Sequence, residues 1–108
     1  MLGMLLAGML EAFGHSVCAV AVTEQDAVAA AELHHPDLIL ADANLEQGSG
    51  ITAIARILDV RPAPHIFMSG NPAKLGGLGP AAVVLEKPFT EPDVRRAITR
   101  ALNFAAVP

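Results

Sequence analysis

Four short, almost continuous apolar runs punctuate this 108-residue chain: SVCAVAV at 16–22, DLILAD at 37–42, HIFMS at 65–69 and AVVLE at 82–86. A strand with one wet face alternates apolar and polar residues. A strand covered on both faces, as in a parallel sheet, reads as an unbroken apolar run. Between the runs lie segments of a different period. Ala27, Val28, Ala31 and Leu33 turn one face of a Glu24–His34 helix inward, and Pro36 closes it. Ile51, Ile54, Ala55 and Leu58 repeat at helical spacing, and Arg61-Pro62-Ala63-Pro64 breaks that helix. Residues 71–80 predict only a weak helix, because Gly76, Gly77 and Gly79 disfavour it. Val94, Ile98, Leu102 and Ala105 line a last helix. Thr23 with Asp26, and Thr90 with Asp93, form capping signatures ahead of two of these helices. The alternation predicts an α/β fold, an open parallel sheet with helices on both faces.

The first fifteen residues require separate treatment. Leu2, Leu5, Leu6, Met9, Leu10 and Phe13 recur at helical spacing, and Gly14-His15 ends the repeat. A signal peptide is not predicted: there is no positive n-region, no A-x-A cleavage site, and Glu11 interrupts the stretch. Nor does it reach the roughly 20 apolar residues a bilayer crossing needs. It reads as a core helix, and no membrane partner is expected. The length fits one domain over 1–108. With 53% hydrophobic and 17% charged residues, the composition excludes a disordered chain. Seven basic against eleven acidic residues leave a net charge of −4, which speaks against direct nucleic-acid binding. Cys18 stands alone, so a disulfide scaffold is excluded and a reducing, cytoplasmic setting is expected.

In open α/β sheets the ligand site lies beyond the carboxyl ends of the strands. Three of the apolar runs end there in polar side chains: Asp42, Ser69 and, just past the last run, Lys87. A carboxylate, a hydroxyl and an ammonium converging on one crevice suit a phosphoryl group, whose transfer depends chiefly on positioning and charge stabilisation. His34, His35 and His65 have no metal-ligand spacing with an acid or Cys18 and are expected in solvated loops. Arg95, Arg96 and Arg100 are expected on a solvated helix face.

The pieces PDLILADANLEQGSG, IFMSGN and LEKPF, in that order, resemble the receiver domain of two-component response regulators, and the resemblance spans essentially the whole chain. It implies a flavodoxin-like receiver fold with strand order 2-1-3-4-5. It implies that Asp42 is the phosphoacceptor, charged by the phosphohistidine of a histidine kinase or phosphotransfer protein. Ser69 is then the switch hydroxyl. Lys87 contacts the phosphoryl oxygens and is followed by a cis peptide to Pro88. Asn44 lends a backbone carbonyl to Mg²⁺ beside the Asp42 carboxylate, and Gly70 keeps the approach open. In the family the last helix often serves partner or dimer contacts.

The departures from the family pattern carry their own expectations. Receivers begin with an apolar strand ending in an acidic pair that helps hold Mg²⁺, whereas this chain begins at the first helix. Three explanations stand: a start set downstream of the true one, a strand supplied by another chain such as a second copy, or flanking strands that close up. Mg²⁺ binding is expected to be weak, with Glu46 a poor substitute for the missing pair. Val84 occupies the position where the family often has an aromatic, so a rotating aromatic switch is not expected, and the glycine-rich 75–80 segment is the candidate moving part. The leading expectation is a phosphorelay receiver that modifies only itself, is no turnover enzyme, and presents a switched surface to a downstream protein. With no output domain after the last helix, DNA binding is not expected. The alternative is a degenerate receiver acting as a phosphorylation-independent binding module. A small phosphoester hydrolase is a weaker third reading.

Overall fold

The computed structural model describes residues 8–15, 21, 23–43, 48–71 and 82–106. Three strands form in them: β1 (Ile39–Asp42), β2 (His65–Ser69) and β3 (Val83–Glu86). They pair in parallel in the order β1-β2-β3. The central strand β2 is buried along its whole length, as its unbroken apolar run predicts. Ile39 lies opposite His65, and Ile66 lies opposite Val83. The first strand starts two residues later than expected. One step before Ile39 in this register, Leu38 would face Pro64, which has no N–H for a ladder bond.

The two-residue period of the strands sorts their side chains onto two cores. Ile66, Met68, Val83 and Leu85 join Val94, Ala97, Ile98 and Ala101 on one face, with Met9, Leu10, Phe13, Leu38, Leu40 and Phe89 packed against them. Phe67 joins Ile54 and Ile57 on the other, flanked by Val28, Ala31, Ile39 and Ala41. Helices therefore cover both faces. Fully burying a side chain such as Ile66, Ile54 or Val94 contributes about 1.5–3 kcal/mol, so these two layers dominate stability.

The helices are α1 (Glu24–His34), α2 (Gly50–Val60) and α3 (Glu91–Ala106). Each begins at a hydroxyl side chain. Thr23 Oγ1 accepts from the Asp26 amide at 3.1 Å, and Ser49 Oγ accepts from Ile51 at 3.1 Å. Ahead of α3, the Thr90 amide donates to Asp93 Oδ2 at 2.9 Å while the Asp93 amide donates to Thr90 Oγ1 at 3.4 Å, a reciprocal capping box. Residues 8–12 are helical, and Gly14 (φ 92°) ends them as expected. The His15 amide returns to Leu10 O at 3.0 Å and Gly14 to Glu11 O at 3.0 Å, a Schellman closure. The predicted start of that helix, the strand predicted at 16–22 (all but residue 21) with Cys18, and the weak helix predicted over 71–80 (all but residue 71) lie outside the described residues.

Three side chains depart from the sequence reading. Leu33 is 75% exposed, because it sits about 140° around the helix from Val28, outside the inward stripe. Leu102 is 38% exposed at the margin of an α3 stripe that Ala97 and Ala101 fill instead. His65 is not in a solvated loop. It opens β2, is buried, bonds Ala63 O through Nδ1 at 3.0 Å, and meets the Phe67 ring edge-on at 5.5 Å. His34 and His35 are exposed, and His35 takes the left-handed cap position of α1.

Candidate functional site

The register brings the three predicted residues to one edge of the sheet. Asp42, last in β1, lies opposite Met68, and Ser69, last in β2, lies opposite Glu86. Lys87 follows Glu86 directly. The ladder runs on past the strand ends: Ala43 N donates to Met68 O at 2.9 Å and Lys87 N to Ser69 O at 2.8 Å, so the backbone beside each residue is fixed. The Lys87 ammonium donates to Asp42 Oδ2 and forms an ion pair with it, each side chain 28% exposed. A pair this wet contributes under about 1 kcal/mol to stability, so its consequence is geometric: it aims a cation at the carboxylate. Ser69 is almost fully buried, and its Oγ accepts from the Asn71 amide at 3.0 Å. That bond uses an oxygen lone pair, and among the described residues no acceptor takes the hydroxyl hydrogen. The Lys87–Pro88 peptide is cis, as the resemblance implies. Asn44 and Glu46 lie outside the described residues.

Behind Asp42 sits a close backbone contact that the sequence reading missed. A Cβ on Gly50 would lie 1.9 Å from the Asp42 carbonyl oxygen, so only glycine lets the first turn of α2 rest against the Asp42 backbone. The Gly50 amide donates to Ala43 O at 3.1 Å, and Ser49 Oγ donates to the same oxygen at 3.4 Å. Among the described residues nothing lies within 4 Å of a Cβ at Gly70.

Farther out, Glu24 Oε1 accepts from the Ser49 amide at 3.2 Å and Oε2 from Arg56 Nη1 at 3.0 Å. The Ser49 amide first, and the Arg56 guanidinium second, hold the Glu24 carboxyl below the ordinary glutamate range. On α3, Arg95 and Arg96 pair with Glu91 and Asp93, and the Arg95 guanidinium lies 4.2 Å from the centre of the Phe13 ring. Among the described residues no group of three His, Cys, Asp or Glu is placed to hold a metal ion. No described helix is long and apolar enough to cross a membrane.

No family model matches the chain. It is similar, at 38% identity over 96% of its length, to the phyllosphere-induced regulator PhyR of Methylorubrum extorquens, of which it spans 40%. Among solved structures it matches the PhyR response regulator REC domain of Erythrobacter litoralis at 33% identity and a TM-score of 0.85, covering 99% of this chain and 85% of that one. It also matches the anti-anti-sigma factor PhyR of Bartonella quintana at 35% identity and a TM-score of 0.84, covering 97% of this chain and 44% of that one. The chain thus spans well under half the length of the full-length PhyR proteins it matches.

Proposed function

This chain belongs to the receiver-domain family of response regulators, and from that premise we propose that Asp42 accepts a phosphoryl group from a histidine kinase or phosphotransfer protein. The observation that carries the reading is the Asp42–Lys87 ion pair at the carboxyl ends of parallel strands, with the Ser69 hydroxyl on the strand between.

The chemistry follows from that placement. An Asp42 carboxylate oxygen forms a P–O bond in line as the P–N bond to the donor imidazole breaks. The electron pair leaves on the imidazole nitrogen. Negative charge spreads over the three equatorial phosphoryl oxygens, and catalysis consists of positioning plus neutralisation of that charge. Lys87 exchanges the Asp42 carboxylate for a phosphoryl oxygen, and Ser69 donates its hydroxyl hydrogen to another. The domain modifies only itself, and the new dianion redraws a surface that a downstream protein reads. The naming of the Bartonella relative as an anti-anti-sigma factor supports a protein, rather than DNA, as that partner.

Mg²⁺ fits the described donor set poorly. Among the described residues that set holds the Asp42 carboxylate, which is paired with Lys87, and no group of three His, Cys, Asp or Glu. An ion held by one carboxylate would lean on water and the phosphoryl oxygens. No step above depends on it.

The test is intact mass after incubation with acetyl phosphate and Mg²⁺, with Asp42→Asn as the control. One added phosphoryl group, absent in the variant, is the expected result. A folded protein that gains no mass sinks the proposal and favours a phosphorylation-independent binding module, the reading that the single carboxylate and the half-buried Val84 in place of an aromatic also support.

A further inference from the structure

The contacts around Ser49 point to a residue that acts on Asp42 without touching it. Glu24, the first residue of α1, belongs to a different element from the acceptor, yet its carboxylate reaches the end of the segment that follows Asp42. Oε1 takes the Ser49 amide at 3.2 Å. Ser49 caps α2 and donates through Oγ to Ala43 O at 3.4 Å, and Gly50 donates to the same carbonyl at 3.1 Å. Ala43 is buried and is peptide-bonded to Asp42. Gly48 passes so near that a Cβ on it would lie 2.6 Å from Glu24 Cβ, and its φ of 89° is one that glycine adopts freely. Every link from Glu24 to Ala43 is a hydrogen bond or a close packing contact, and the last, to Asp42, is covalent. Arg56, from the second turn of α2, takes the other Glu24 oxygen at 3.0 Å and keeps the carboxylate turned toward α2.

We propose that Glu24 is a positioning residue for phosphoryl transfer to Asp42: by holding Ser49, it sets where α2 begins and so where Ala43 carries the Asp42 carboxylate. The inference rests on the phosphoacceptor reading above. Small displacements of a reacting group slow a reaction sharply, whereas substrate affinity depends on other groups, here Lys87 and Ser69. Loss of the Glu24 link therefore lowers the maximal rate and leaves half-saturation by the donor in place. An acceptor oxygen is what Ser49 needs, so glutamine replaces glutamate for this purpose and alanine does not.

Time courses of intact mass with varied acetyl phosphate test it, on wild type, Glu24→Ala and Glu24→Gln, each shown to be folded by its ¹⁵N–¹H spectrum. Glu24→Ala is expected to cut the maximal rate by about threefold to tenfold with unchanged half-saturation, and Glu24→Gln to restore most of it. A folded Glu24→Ala protein that reacts at the wild-type rate overturns the inference alone. So does a Glu24→Gln protein as slow as the alanine variant, since the bond to Ser49 would then not be what matters. Should Glu24→Ala not fold, Glu24→Asp decides. Its shorter arm cannot serve Ser49 and Arg56 together, so a slower rate supports the assignment and a wild-type rate removes it. A wild-type protein that takes no phosphoryl group removes the phosphoacceptor reading, and this inference with it.

Discussion

In the proposed chemistry, the Lys87–Asp42 pair combines small thermodynamic weight with a central place in the site. Both are exposed enough for water to solvate either one left alone, so Lys87→Ala should change stability by less than about 1 kcal/mol in urea unfolding. On the proposed mechanism, the same substitution removes the cation that meets the developing phosphoryl charge. It should slow phosphorylation by about 100-fold, measured by intact mass with acetyl phosphate. Gly50 has the opposite profile. Gly50→Ala forces a methyl group against the Asp42 carbonyl and should cost about 1–3 kcal/mol, visible as a lower urea midpoint, while Gly70→Ala, in open space, should not. Asp42, Ser69 and Lys87 were readable in the sequence because each ends or follows an apolar run, and strand ends are where such sheets place chemistry. Gly50 and Glu24 were not. Their importance depends on a backbone approach and a hydrogen bond between segments that no local pattern links, although the Ser49-Gly50 pair at the helix start was a hint.

Among the elements, β2 and α1 have the bounds that their sequences predict, since an apolar run between Pro64 and a polar end, and a cap followed by Ala-rich turns, are local signals. Burial was harder to foresee. A hydrophobic residue such as Leu33 faces water when the stripe of its helix is narrow, and a polar one such as His65 is buried when its strand is central and a carbonyl satisfies its ring nitrogen. The capping box at α3 is a local signal with a measurable consequence. Thr90→Ala should destabilise the domain by about 1 kcal/mol and speed amide exchange in the first turn of α3 ahead of its middle.

At the scale of the whole molecule, two capping or bridging carboxylates among the described residues contribute to the response to acid. Glu24 is held below the ordinary glutamate range by the Ser49 amide, and Asp93 below the ordinary aspartate range by the Thr90 amide. The folded state thus releases these protons more readily than the unfolded chain. Their stabilisation is complete above the ordinary carboxylate values of the unfolded chain and is lost as pH falls through the lower folded ones. A Glu24→Gln, Asp93→Asn protein should be less stable at neutral pH, yet lose less stability on acidification in a series of urea titrations. The sheet itself has another consequence. The acid, the hydroxyl and the ammonium arrive on three separate segments, and they meet only when both strand pairings have closed. A chain that has joined β1 to β2 alone owns a nucleophile without its cation. On the phosphoacceptor reading proposed above, the site is a coincidence detector for completed folding: copies with an open strand pairing stay deaf to phosphoryl donors, and the signal counts only finished molecules.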